Sequence, residues 1–147
     1  MASIYDLLKA DHAMTVQRLV ELQNGLSSSE AEHSFSRLKQ GFELHTEFES
    51  EAFYPTLRAA PGAGQQLTES IRDHTQIHKL LSELSELDVT FPEWQDIIDE
   101  LIPMVKRYAW KEETILLPIA CQVIDNQLAE MMAIDYQRMR DLAIERG

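Results

Sequence analysis

Four stretches of this chain place apolar residues three and four positions apart, and each stripe is interrupted by polar side chains that must face the same way. That spacing is one face of an α-helix, so the chain is restricted to folds in which helices bury stripes against one another. Helix A, from a cap at Ser3 to near Gly25, aligns Ile4, Leu8, Val16 and Leu19 with His12. Helix B, from a cap at Ser29 with Glu32 to about Leu57, aligns Phe35, Leu38, Phe42 and Phe53 with His45 and Glu49. The turn APGAG separates it from helix C, where Leu67, Ile71, Leu81 and Leu84 flank His74 and His78. Helix D starts at Pro92, a residue suited to a first helical turn, and lines up Trp94, Ile98, Leu101, Val105 and Ile115 with Tyr108 and Glu112. The connections are short, which makes sequence neighbours antiparallel and predicts an all-α, up-down-up-down four-helix bundle. A further helix, about 126–144, mixes Met, Leu and charges and reads as a packing helix. The expectation is a single domain over 1–147, with the bundle spanning about 3–118.

Charge narrows the partners. Thirteen Lys and Arg against 25 Asp and Glu leave a net charge of −12, which repels phosphate backbones and anionic lipids. Nucleic acid and membranes are therefore not expected partners. No apolar run approaches the ~18 residues of a membrane span, and MASIYDLLKAD has neither a basic start nor an apolar core, so a cytoplasmic location is expected. The one cysteine, Cys121, forms no intrachain disulfide or thiolate cluster, and its place in ILLPIAC puts it inside the core.

One histidine on an apolar stripe is ordinarily a satisfied core residue, and an inward carboxylate is expensive unless partnered. Here His12, His45, Glu49, His74, His78, Tyr108 and Glu112 all fall on inward faces, and they include four of the five histidines. Depth agrees as well as face. Counted from the turn at 59–64, Glu49 matches the height of His74, and His45 that of His78.

The set is also repeated. His12 precedes His45 by 33 positions and His74 precedes Tyr108 by 34; each second member is followed by Glu at +4 and Pro at +10. Helices A–B and C–D thus form two copies of one hairpin, HTEFESEAFYP matching YAWKEETILLP. His78 has no counterpart, since Val16 stands at the matching place. Duplicated carboxylate-plus-imidazole units are how helical bundles hold two metal ions. Imidazole and carboxylate donors without thiolates favour iron or manganese over a structural zinc. Seven donors leave two octahedral ions with positions for oxo, hydroxo, O2 or peroxide.

The phrases DHAMTV, HTEFESEAFYP, DHTQIHKLL and KEETILLP, in this order and spacing, resemble the hemerythrin-like HHE cation-binding family. That resemblance implies a non-heme di-iron centre with an oxo or hydroxo bridge, in which Glu49 and Glu112 bridge the irons. It implies that His12 and His45 bind one iron and His74 and His78 the other. The family's remaining ligand on the second iron is a His, and here it is Tyr108. Tyr108 could fill the core and donate a hydrogen bond, or bind as a phenolate, or leave the vacancy to water or Tyr54. Tyr54 lies about 140° round an α-helix from Glu49, which suits core packing better. An ordinary tyrosine has a pKa of ~10, so phenolate binding calls for a strongly Lewis-acidic ion such as Fe(III). The expected behaviour is reaction with or sensing of O2, peroxide or nitric oxide from a ferric resting state, with catalase- or peroxidase-like activity. An iron- or oxygen-sensing or storage module without turnover is the alternative, and reversible O2 carriage fits less well.

Overall fold

The structure, a computed structural model, describes residues 2–146. Helix α1 spans Ile4–Gln23, and Ser3 caps it through a reciprocal pair in which the Asp6 amide donates to the Ser3 hydroxyl and the Asp6 carboxylate accepts from the Ser3 amide. Gly25 then takes a φ of 95°, a left-handed turn that glycine adopts without steric cost. Helix α2 spans Ser28–Phe48 and is capped by Ser27, not by Ser29. Both serines have a Glu three residues on. The earlier one is used because its carbonyl already receives the Ala31 amide and the chain has just left the Gly25 turn.

Helices α3 (Gly64–Glu86) and α4 (Pro92–Lys111) form the second hairpin, and α1 packs on both α2 and α4. Helix α5 (Leu117–Val123) continues the line of α4, and α6 (Asn126–Arg146) lies against α1 and α2. The architecture is the all-helical bundle expected from the stripes, and no strand occurs among the described residues. No helix of the described residues is long and apolar enough to cross a membrane.

Two irregular turns separate this bundle from an ideal one. After Phe48 the helix widens over Glu49–Phe53, where the Tyr54 amide reaches back five residues to the Glu49 carbonyl; a 3-10 turn, Tyr54–Leu57, follows. After Lys111 the same happens over Glu112–Leu116, with the Leu117 amide bonded to the Glu112 carbonyl. Each wide turn lies just before a proline, Pro55 or Pro118. A proline has no amide hydrogen to donate and its ring crowds the carbonyl four residues back, so the preceding turn opens. The added residue rotates everything downstream. Leu116 therefore takes the inward place expected of Ile115, which is 37% exposed.

Two other positions differ from the stripe pattern. Ile71 is exposed, with Ser70 and His74 taking the inward face of α3 around it. Cys121 is exposed as well, because Leu117, Ala120 and Ile124 occupy the inward positions of α5 and its flank. The apolar core comes in two parts. One, including Leu19, Leu38, Leu81 and Ile98, fills the end near the α1–α2 turn. The other, including Leu8, Phe48, Phe53, Leu116 and Tyr136, fills the end under α6. In α1, α3 and α4 the polar inward residues fall between these two parts.

Candidate metal centre

The side chains between the two apolar cores converge on a small, closed space. His12 comes from α1, His45 from α2, His74 from α3 and Tyr108 from α4, while Glu49 and Glu112 open the two wide turns. Glu49 and Glu112 are both fully buried. Two groups of three donors have ligating atoms within 4.8 Å of one another: His12, His45 and Glu112, and Glu49, His74 and Glu112. Glu112 belongs to both.

Three imidazoles present Nε2 to this space. His12 Nε2 lies 3.0 Å from Glu112 Oε1, and His45 Nε2 lies 3.1 Å from Glu49 Oε1 and 3.6 Å from Glu112 Oε1. His74 Nε2 is 3.0 Å from Glu49 Oε1. The opposite nitrogen of two rings is held from behind. His12 Nδ1 lies 2.8 Å from Glu113 Oε2, and His45 Nδ1 lies 2.9 Å from Asp11 Oδ2. A carboxylate behind Nδ1 keeps the proton there and leaves the Nε2 lone pair free for a cation, which is the usual arrangement of a metal-binding imidazole.

Two phenols complete the set. Tyr108 Oη donates to Glu49 Oε1 and lies 2.8 Å from His74 Nε2. Tyr54 Oη donates to Glu112 Oε2 at 2.7 Å and lies 3.1 Å from His74 Nε2. Tyr54 therefore does both: its ring packs in the core under α6, as expected, and its hydroxyl reaches into the centre. Five residues of regular helix would carry it about 140° away from Glu49, but five residues across a wide turn bring it back to the same face. The signal was present in the sequence, as a proline six residues after each inward Glu.

His78 is placed differently. Its ring is half-buried, and Nε2 lies 2.8 Å from the Thr46 hydroxyl, outside both donor groups. That hydroxyl is within donating reach of the Phe42 and Glu43 carbonyls, which leaves its lone pairs to accept from Nε2. Glu113 and Asp11 carry no stripe signal in the sequence, because each lies beside an inward residue rather than on the inward line. The dipeptide Asp-His, which occurs at 11–12 and again at 73–74, was the available clue.

Electrostatics follow from burial and crowding. Burial pushes the Tyr108 phenol well above its ordinary range, and the carboxylates of Glu112 and Glu49 add to this. Burial does the same to Tyr54, again reinforced by Glu49 and Glu112. Both are neutral donors in the absence of a cation. Burial alone would raise the Glu112 carboxyl, but the imidazoles of His12 and His45 beside it outweigh burial and hold the group well below the usual carboxylate range. Burial likewise opposes a charged His45, yet the Glu49 charge and the Asp11 and Glu112 hydrogen bonds raise it well above ordinary histidine. The protons on these imidazoles stand where positive charge is required.

A cation fits this donor set. Glu49 Oε2 is fully buried and has no hydrogen-bond partner among the described residues, a costly state for a carboxylate oxygen that a cation would relieve. The donors are imidazole nitrogen and carboxylate oxygen, supplied from four helical segments without a thiolate.

Comparison with known proteins agrees with this reading. The model of the hemerythrin HHE cation-binding domain matches residues 3–120. The crystal structure of a hemerythrin HHE cation-binding domain-containing protein from Mycobacterium kansasii superposes with a TM-score of 0.82, over 99% of this chain and 92% of that one. At 23% identity that likeness concerns the fold. A protein of Nostoc sp. named as a DNA nickase is 23% identical over 136 residues, 92% of this chain, and the chain spans 38% of that relative's length. With its helical bundle, its buried His–Glu clusters and a domain match over most of its length, this chain belongs to the hemerythrin HHE cation-binding domain family.

Proposed function

We propose that this chain is a non-heme di-iron protein that reacts with peroxide, O2 or nitric oxide. The observation carrying this reading is the pair of buried three-donor groups that share Glu112. One ion would be held by His12, His45 and Glu112, the other by Glu49, His74 and Glu112. Iron in such a site supplies reversible one-electron redox chemistry. His78 joins the second group, as the family resemblance implies, only if its ring turns away from Thr46.

The chain's own residues then have definite tasks. Asp11 and Glu113 hold protons on the Nδ1 atoms of His45 and His12, so both rings offer Nε2 inward. Tyr54 and Tyr108 hold hydroxyl protons against Glu112 and Glu49, and these are the protons that would be given up or donated were positive charge or a small oxygen ligand to enter. The apolar cores above and below keep bulk water out and strengthen these interactions. A surface recess of about 440 Å³ that includes Lys9, His12 and Glu113 in its walls reaches the edge of the centre at His12 and would offer a small diatomic or peroxide an approach. An anionic phenolate stabilises Fe(III) more than a neutral imidazole does. Tyr108 in a position where the family has His therefore favours a ferric resting state and peroxide-directed activity over reversible O2 carriage.

Metal analysis with a visible spectrum tests the reading. Purified wild type is expected to carry iron and a long-wavelength charge-transfer band, and Tyr108→Phe to lose the band while keeping iron. An unchanged spectrum removes phenolate binding by Tyr108, and a wild type without iron after iron-replete expression removes the di-iron reading. Sensing or storage without turnover is the second reading, favoured by the complete burial of Glu49 and Glu112. It predicts a large apo–holo difference in stability with no peroxide consumption. The activity in the Nostoc relative's name is not carried over, because a net charge of −12 opposes binding to a phosphate backbone.

A further inference from the structure

The C-terminal helix lies outside the residues matched by the family model, which ends at 120, yet it reaches the metal centre through one carboxylate. Asp11 sits between α1, α2 and α6. Its Oδ2 accepts from His45 Nδ1 at 2.9 Å and from the Tyr136 hydroxyl, and its Oδ1 accepts from Arg140 Nη2. Both oxygens are thus committed, and the plane of the carboxylate is set by groups from two other helices. Tyr136 is only 1% exposed, and its ring packs on Phe48 with centroids 4.7 Å apart. The Arg140 guanidinium carbon lies 5.0 Å from the centre of the Tyr136 ring, so the two side chains brace each other. A buried phenol needs a polar partner, and α6 places this one where it orients a carboxylate already bound to a ligand-bearing ring.

The His12 side has no such brace. Its carboxylate, Glu113, is one residue from Glu112 and is 32% exposed. The two imidazoles of one donor group are therefore held with different stiffness, and the difference originates in α6.

We propose that Tyr136 and Arg140 are positioning residues of the metal centre, holding Asp11 so that Asp11 sets the tautomer and the ring orientation of His45. This rests on the metal-binding reading above. Residues behind a metal-binding imidazole are commonly worth about 10–100-fold in affinity. One step further out, Tyr136→Phe and Arg140→Gln are each expected to speed metal loss by roughly ten-fold, the low end of that range.

Co(II) is the probe, because its visible bands report ligand geometry whichever metal the cell supplies. Wild type, Tyr136→Phe, Arg140→Gln, Arg140→Lys and Arg138→Gln are loaded with Co(II). Release to a chelator, band positions and Tm are then recorded. Arg138 is exposed on the same helix, so Arg138→Gln removes the same charge without touching Asp11. The expected result is faster release and shifted bands in Tyr136→Phe and Arg140→Gln, recovery in Arg140→Lys, and wild-type behaviour in Arg138→Gln. Lowered Tm with unchanged release and bands would show that α6 only packs, and overturns the proposal. Should Arg140→Gln fail to fold, Tyr136→Phe, which loses a single hydroxyl, decides by the same criteria. A wild type that binds no Co(II) overturns the metal reading together with this one.

Discussion

The α1–α2 and α3–α4 halves of the bundle are two copies of one hairpin that have diverged at matching positions. In the first half Asp11 stands before His12 and accepts the Nδ1 proton of His45. In the second half Asp73 stands before His74 in the same way, but position 108 holds Tyr, which has no ring nitrogen to offer. Asp73 Oδ2 is accordingly buried without a hydrogen-bond partner, with Lys111 Nζ 3.8 Å away. Tyr108 is oriented from inside the centre instead, by Glu49 and His74. Nine residues on, the phenol is in the other half, where Tyr54 of the first half corresponds to Leu117 of the second. Each half thus contributes one phenol, from different places in the repeat, and a duplicated scaffold has become a chemically asymmetric site.

The largest effect should come from the one donor that the two groups share. Glu112→Ala is expected to remove nearly all bound metal, whereas Glu49→Ala should remove about half, as for a two-metal site with one bridge left. Metal content per chain distinguishes them, and equal losses would mean that the two groups do not fill independently. Next, His74→Ala should empty the second group, while His78→Ala should keep its metal and disturb only the contact with Thr46. Equal metal loss in both variants would show that His78 turns inward when a cation binds.

A smaller change is expected from restoring the symmetry. Tyr108→His should abolish the charge-transfer band, retain metal, and give Asp73 an Nδ1–H to accept. Recovery of a buried hydrogen bond is worth about 1 kcal/mol, so Tm should hold or rise despite the lost phenol. A large fall in Tm would indicate that Asp73 cannot reach the new ring. The smallest effect concerns the start of α2 in the first half. Ser27→Ala should cost about 1 kcal/mol in chemical denaturation and Ser29→Ala nearly nothing, because only the former hydroxyl caps the helix.

Much of the candidate centre was legible because its inward polar side chains obey helical spacing. His12, His45, Glu49, His74, Tyr108 and Glu112 lie on stripes with residues that must be inside, and hairpin arithmetic put Glu49 and His74 at one height. The hydroxyl of Tyr54 was not legible by that route, since a spacing of 3.6 residues per turn fails across the wider segment Glu49–Phe53. Ile115 yielded its place to Leu116 for the same reason. Asp11, Glu113, Tyr136 and Arg140 escaped because they stand behind the inward histidines rather than on the apolar stripes. A helix read as packing material, with no inward polar line of its own, turned out to hold a carboxylate bound to His45.

By itself, the order of residues determined the helical bundle, the duplicated hairpin and the convergence of imidazoles and carboxylates, because periodicity dictates which side chains share a face. Tertiary structure alone decided which atoms meet. The two wide turns rotated Tyr54 into the centre, the Thr46 hydroxyl drew His78 aside, and α6 closed on Asp11. Those outcomes depend on backbone hydrogen-bond register and on contacts between distant segments, neither of which a local spacing rule encodes.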